Sequence, residues 1–164
     1  MNPQSNSYWY ARFRAAAFVS IFGAVIWTVL IVLPFSPFSK IPPIMIVGGP
    51  GEWLVVAYLL YISLGAGAFG WLSSILRVIE QEERRNISPS LMWPGYLLLF
   101  FGVTVSCASL GYAGASGGYA LVNGSSSTLH QMLSPYLYPI SATTIVAAAG
   151  ALLVVLAMIR ARGP

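Results

Sequence analysis

Residues 86–159 read NISPSLMWPGYLLLFFGVTVSCASLGYAGASGGYALVNGSSSTLHQMLSPYLYPISATTIVAAAGALLVVLAMI, and no Asp, Glu, Lys or Arg interrupts them. Soluble domains carry about 25% charged residues, so a stretch of this kind is typical of chain that lies in lipid. At about 20 apolar residues per crossing, it is long enough for two transmembrane helices and a connection between them. The sequence therefore predicts two spans here, at residues 91–110 and 137–159.

Arginine clusters bound this stretch on both sides and recur towards the N-terminus. The clusters are Arg12 and Arg14; Arg77, Arg84 and Arg85; and Arg160 and Arg162. The uncharged segments before the middle cluster supply two more spans, at residues 15–33 and 53–76. Loops on the cytoplasmic side are enriched in Arg and Lys, and the two remaining loops carry only Lys40, so both termini are expected to face the cytoplasm. We also assign the clustered arginines to contacts with anionic lipid headgroups.

The composition of the whole chain agrees with this pattern. Of its 164 residues, 57% are hydrophobic and only 7% are charged, which leaves no room for a separate soluble domain. The predicted fold is a single all-α integral membrane domain over residues 1–164, a bundle of four transmembrane helices with both termini inside. The net charge of +4 lies beside apolar segments rather than on an independent face, so nucleic acid is not a predicted partner.

The predicted connections differ in character. Residues 77–85 are expected to continue the second span as a cytoplasmic helical extension, supported by the side-chain pairs Glu80–Arg84 and Gln81–Arg85 at helical spacing. Residues 34–52 are predicted as an external loop because their prolines disfavour a regular helix. The apolar middle of that loop is expected to lie along the membrane surface or against the bundle.

A second external loop is predicted at residues 111–134, which are rich in glycine and serine. Glycine loses more conformational freedom on folding than any other residue, so a lipid-exposed helix is costly there. Asn123-Gly124-Ser125 in this loop matches the acceptor pattern for N-glycosylation, a tripeptide that also arises often by chance.

Small residues at helical spacing are expected to form the helix-packing or partner-contact faces, because helices in lipid associate by close approach and hydrogen bonds. They are Ser63, Ala66, Gly67 and Gly70 in the second span, Gly102, Ser106 and Ser109 in the third, and Thr143, Ala147, Gly150 and Ala151 in the fourth. A bulky residue at Gly67 or Gly150 is predicted to loosen the bundle or its assembly.

No catalytic activity is predicted for the chain. One histidine, one cysteine and glutamates at span boundaries cannot supply a paired nucleophile and base, so we expect no enzyme acting alone, no catalytic residue and no metal site. His130 is the one candidate cofactor ligand, although a lone histidine more often makes a local hydrogen bond.

Two segments resemble parts of known respiratory proteins. LYISLGAGAFGWLSSILRVIE, residues 60–80, resembles the first helix of haem–copper oxidase subunit I, and PGYLLLFFGVTVSCASLGYAG, residues 94–114, resembles its second. Gly95 or a neighbour occupies the position of that family's low-spin haem ligand histidine, and no histidines follow for copper, so the oxygen-reducing site is not implied. The run from Gly65 to Gly70 followed by Arg77 is also similar to the membrane anchors of quinone-linked oxidoreductases.

The resulting functional expectation is a non-catalytic multi-pass membrane subunit that packs against a larger partner. The setting would be a respiratory complex, as an accessory or structural subunit of a terminal oxidase or quinone-linked enzyme in a cytoplasmic or other energy-transducing membrane. Expected partners are membrane lipids and other integral membrane subunits. No cofactor is predicted for the chain itself, and a haem or quinone shared with a partner stays open. The alternative is a small homo-oligomeric channel or transporter for a neutral or lipophilic substrate, lined by Ser63, Ser73, Ser74, Thr104 and Ser106.

Overall fold

The computed structural model describes residues 8–36, 38–46, 48–124 and 129–161. In these residues five helices follow one another: α1 Trp9–Val32, α2 Ile41–Ile46, α3 Pro50–Glu82, α4 Pro89–Val122 and α5 Leu129–Ile159. Four of the five, all except α2, are long and apolar enough to cross a membrane. The predicted all-α architecture and the four long apolar helices, in the predicted order, are therefore confirmed for the described residues, and they are consistent with an integral membrane protein.

The helices extend beyond the predicted spans at most of their ends. α1 begins at Trp9 because Trp9 and Phe13 are buried in the core, so its first turns are held by packing. α5 begins at Leu129 and passes through Pro135 and Pro139. A proline in a helix leaves the carbonyl four residues earlier without its usual partner. For Pro135 that carbonyl belongs to Gln131, and the Ser134 hydroxyl donates a 3.4 Å hydrogen bond to it.

α3 is continuous from Pro50 to Glu82 but widens to π-helical turns at Tyr61–Ala68 and Val78–Glu82. The predicted extension over residues 77–85 is therefore helical only as far as Glu82. Arg84 then adopts a φ of 52°, in the left-handed region that non-glycine residues rarely occupy, and this reverses the chain. The predicted pairs Glu80–Arg84 and Gln81–Arg85 do not form because the helix ends before either arginine.

The largest difference from the predicted boundaries lies in the glycine-rich segment. Residues 111–122 are not a loop but the last turns of α4, and residues 129–134 are the first turns of α5. The physical reason is burial: Gly111, Gly114, Gly117 and Gly118 face other helices rather than lipid. The absence of side chains lets the start of α3 approach the backbone of α4, and this contact offsets the entropic cost of glycine in a helix.

The connection between α1 and α3 is also more ordered than a loop. It contains a 3₁₀ turn, Phe38–Lys40, followed directly by α2. Pro42 and Pro43 lie in the first turn of α2, where a missing N–H group removes no helical hydrogen bond. Ile44 is buried against Gly118 of α4. Of the two predicted placements, α2 therefore adopts the one against the bundle.

The main apolar core lies where α1 and α4 begin and α3 and α5 end. Its fully buried side chains include Phe13, Leu76, Met92 and Val154, one from each long helix. The aromatic rings of Phe13, Phe69 and Phe100 extend this core inward, with Phe13–Phe69 and Phe69–Phe100 centroid distances of 5.7 and 5.9 Å. Both ends of the described chain therefore lie at the same end of the bundle, which we call the terminal end.

Candidate functional site

The predicted small residues of α4 and α5 pack against each other. A methyl group added to Gly102 would lie 2.6 Å from the backbone nitrogen of Ala147, far closer than two such atoms can approach. A methyl group on Gly150 would overlap the backbone at Leu99 in the same way. These residues therefore hold α4 and α5 at a backbone-to-backbone distance that only glycine permits.

Polar side chains contribute less to the same interface. The hydroxyl oxygens of Ser106 and Thr144 lie 2.9 Å apart and form a hydrogen bond between α4 and α5. Thr143 instead donates to carbonyl groups of its own helix, at Pro139 and Ile140. Ser109 and Ala151 are half-buried. Ser106 is thus the predicted packing residue that makes an interhelical hydrogen bond, whereas Thr143 acts locally.

The predicted small residues of α3 have a different environment. Ser63 and Gly67 are exposed, and Ala66 and Gly70 are half-buried. Apart from the adjacent residues and the helical backbone within four residues, no described atom lies within 4 Å of a methyl group placed on Gly70, and the nearest such atom for Gly67 is a carbonyl oxygen of α3 itself, at 3.8 Å. We call Ser63, Gly67 and Gly70 the outer face of α3. Gly65, which was not predicted as a contact residue, is the glycine of this region that packs inward, against Ser20 of α1.

The predicted arginines gather at the terminal end. Arg12 lies between two indole rings, with its guanidinium carbon 4.6 Å from the ring centre of Trp9 and 4.1 Å from that of Trp93. Aromatic rings with an apolar body and a polar edge are typical of the membrane–water boundary, and cation–π contacts at such sites add about 1 kcal/mol each. This arrangement fixes the starts of α1 and α4 to each other.

The other arginines have separate roles. Arg14 and Arg77 line a groove between α1 and α3, whereas Arg85 forms a 3.0 Å ion pair with Glu83 in the turn after α3. Arg160 is exposed just after α5. Arg162 lies outside the described residues.

Glu80 is the main contact that the sequence did not reveal. Its two carboxylate oxygens accept hydrogen bonds from the backbone N–H groups of Trp9 and Tyr10, at 2.9 and 3.1 Å. The first N–H groups of a helix have no partner within the helix and favour a negative charge. Tyr8, at the capping position of α1, makes no capping hydrogen bond through its side chain. The residue at the capping position is therefore not a Ser, Thr, Asp or Asn, and the acceptor for these N–H groups comes from another helix.

The groove between α1 and α3 has a volume of about 340 Å³ and opens at the terminal end. Six polar or basic residues line it: Tyr10, Arg14, Ser73, Ser74, Arg77 and Gln81. Within it, the side-chain amide nitrogen of Gln81 donates to the Tyr10 hydroxyl at 3.0 Å, and Arg77 Nε donates to the side-chain oxygen of Gln81, Oε1, at 3.1 Å. Ser73 is buried and donates to the Tyr10 carbonyl at 2.8 Å. Hydrogen bonds thus hold the lining of the groove in place.

The remaining predicted sites are isolated. His130 is exposed in the first turn of α5, and no group of three or more His, Cys, Asp or Glu side chains able to hold a metal occurs among the described residues. The side-chain amide of Asn123 donates to the Tyr119 carbonyl at the end of α4, and Ser125 of the same tripeptide lies outside the described residues. His130 as a cofactor ligand and Asn123 as a glycosylation site remain candidates that the structure does not test.

Comparison of the chain with protein-family models, with curated proteins and with solved structures gives no match in any of the three. The features of the described residues that bear on function are the outer face of α3 and the terminal end of the bundle.

Proposed function

We propose that the chain is a non-catalytic multi-pass membrane subunit whose outer face of α3 packs against a transmembrane helix of a larger partner. The observation that carries this proposal is the exposure of Gly67 together with the open space around Gly70. Small residues let helix backbones approach closely, and such approach is a main source of attraction between helices in lipid. Against lipid alone, glycine contributes no side-chain contact and lowers helix stability by about 1 kcal/mol relative to alanine.

The neighbours of this face also support a helix as its occupant. Trp71 is 67% exposed and Leu64 is 42% exposed, and because they are seven residues apart they form a bulky apolar edge along one side of the shallow strip that the small residues leave. A flat strip beside a raised apolar edge can receive a second helix. The cost of exposed glycine on one helix is then offset by contacts that form only in the assembly.

Three of the five hydroxyl groups that were predicted to line a pore support packing instead. Ser73 donates to the Tyr10 carbonyl, Ser74 to the Gly70 carbonyl at 3.2 Å, and Ser106 is hydrogen-bonded to Thr144. Each of these hydroxyls is therefore satisfied by a neighbouring helical group. A pore for a neutral substrate requires polar groups that remain available to the substrate.

For orientation, we propose that the terminal end faces the cytoplasm. Arg12, Arg14, Arg77, Arg84, Arg85 and Arg160 lie at this end, whereas Lys40 lies near Tyr119 at the opposite end. The excess of arginine on one side favours its retention in the cytoplasm. The respiratory setting is part of the same proposal and rests on the resemblance of residues 60–80 and 94–114 to oxidase helices.

Native purification in a mild detergent tests the proposal. The wild-type chain is expected to elute in a discrete complex with other integral membrane subunits. The variant with Gly67→Leu and Gly70→Leu is expected to elute as the isolated chain, because leucine side chains separate the two backbones. Ala148→Leu, at an exposed position of α5, is the matched control and should leave the complex intact.

Recovery of the wild-type chain only as a monomer would contradict the proposal. A complex that contains only copies of this chain would favour the homo-oligomeric alternative. Flux of a neutral solute through liposomes that hold the purified chain separates the two, since an accessory subunit alone should give the same leak as empty liposomes.

A further inference from the structure

We propose that the groove between α1 and α3 at the terminal end binds the phosphate group of one anionic phospholipid. A phospholipid headgroup and free phosphate both present negatively charged phosphate oxygens. The proposed source is the membrane lipid. The inference requires that the chain spans a bilayer, but it does not depend on a partner subunit.

The groove has an uncompensated positive charge. Arg14 and Arg77 both line it, and its six lining residues include no carboxylate. The nearest acid along α3 is Glu80, whose two oxygens are held by the N–H groups of Trp9 and Tyr10. Among the described residues the ion pair at this end joins Arg85 and Glu83, outside the groove. An anion in the groove would therefore meet two cations that form no ion pair with any described residue.

The donors of the groove are positioned before any ligand arrives. Arg77 uses Nε to reach Gln81, which leaves the two terminal nitrogens of its guanidinium for a second acceptor. Tyr10 accepts from Gln81, so its own hydroxyl proton is available to donate. The guanidinium of Arg14 lies over the Tyr10 ring, 5.8 Å from its centre. Arginine in such a setting binds phosphate oxygens with two parallel hydrogen bonds.

The depth of the groove identifies the ligand as a lipid. Trp9 and Trp93 lie at the same end of the bundle, where an aromatic belt is typical of the headgroup level. One helical turn further into the bundle, Phe18 follows Arg14 on α1, and this apolar side chain is 63% exposed. A ligand with a phosphate in the groove would thus continue along apolar surface, as a phospholipid does.

Native mass spectrometry of the full chain in detergent, titrated with phosphatidylglycerol or with phosphatidylcholine of the same acyl chains, tests this proposal. Retention of one phosphatidylglycerol in preference to phosphatidylcholine is expected. The double variant Arg14→Gln and Arg77→Gln is expected to weaken that retention by about tenfold or more, since hydrogen bonds between charged groups are lost. The double variant Arg84→Gln and Arg85→Gln removes the same charge at the same end but outside the groove, and should change retention by less than about twofold.

A second variant keeps the test informative should the first fail to fold. Ser74→Phe fills the groove without removing a charge. It is expected to leave the fold intact, because Ser74 is exposed and bonds only to the carbonyl of Gly70 among the described residues. It should also abolish the preference for phosphatidylglycerol.

Three results would overturn the proposal: equal losses in both arginine pairs, equal retention of the two lipids by the wild type, or unchanged retention in Ser74→Phe. Displacement of the lipid by millimolar inorganic phosphate would assign the groove to free phosphate instead.

Discussion

The interface between α4 and α5 and the outer face of α3 contain the same types of small residue, but these residues are buried in the first and open in the second. At Gly102 and Gly150 the backbone of the neighbouring helix occupies the space of a missing side chain, whereas at Gly67 and Gly70 that space is open. Helices in lipid gain little from apolar burial, so a glycine is informative about contact only when its neighbour is known. The difference separates residues that hold this chain together from residues available to another chain.

The largest expected loss of stability is at the interface between α4 and α5. Gly102→Leu should destabilise the purified chain by about 3 kcal/mol, because the new side chain would overlap the backbone of α5 at Ala147. Unfolding in a denaturing detergent, followed by circular dichroism, measures the change. Ala148→Leu, exposed on α5, is the control; equal stability of the two variants would show that α4 and α5 do not pack as described.

A smaller effect is expected where α3 faces α1. Glu80→Gln should lower stability by about 1 to 2 kcal/mol, since the N–H groups of Trp9 and Tyr10 lose a charged acceptor at the start of α1. Glu82→Gln, at an exposed position two residues later, removes the same charge without that contact. The same unfolding assay compares them, and a loss of equal size in both would indicate a general charge effect.

The hydrogen bond between Ser106 and Thr144 should contribute about 0.6 kcal/mol, the average for interhelical hydrogen bonds in membranes. Ser106→Ala measured in the same assay tests this value. Thr143→Ala, which removes hydrogen bonds within α5 only, should cost less. The opposite order would mean that the local bonds of α5 matter more than the contact between helices.

The smallest loss of stability in the isolated chain is expected on the outer face of α3, where no loss is expected. Gly70→Leu should leave stability unchanged or raise it by up to about 1 kcal/mol, because the first added carbon meets no described residue beyond its own helical backbone and leucine favours a helix more than glycine does. Thermal unfolding of the purified variant checks this expectation. A loss as large as that of Gly102→Leu would place the outer face of α3 inside the bundle, contrary to the structure.

The sequence was sufficient for the four long apolar helices but not for their contacts. The absence of charge over residues 86–159 and the arginine clusters predicted these helices in the correct order, because a helix able to cross lipid carries little charge along its length. The glycines at 111–118 were ambiguous, since the same residue type marks both flexible loops and close helix contacts. The burial of their backbone against α3 and α2 decides between these two meanings, and this burial depends on residues far away in the chain.

The candidate site was predicted less well for a related reason. The arginines were found by their clustering, but the helix cap from Glu80 to Trp9 joins residues 71 positions apart. No local spacing signals such a contact. Likewise, Gly65 and Gly67 are two residues apart on α3, but Gly65 packs on Ser20 of α1 and Gly67 is exposed. The position of α1 decides which of the two glycines faces inward.

The most direct test of the central claim is a photo-reactive amino acid placed at Trp71, a bulky and exposed position beside the outer face of α3, in the otherwise native chain, irradiated in the membrane where it is made. The account predicts a covalent adduct with one other integral membrane polypeptide, and no such adduct from the same group at the exposed position Ala148 on α5. Adducts with lipid alone at Trp71, or the same protein adducts from both positions, would contradict a partner helix on the outer face of α3.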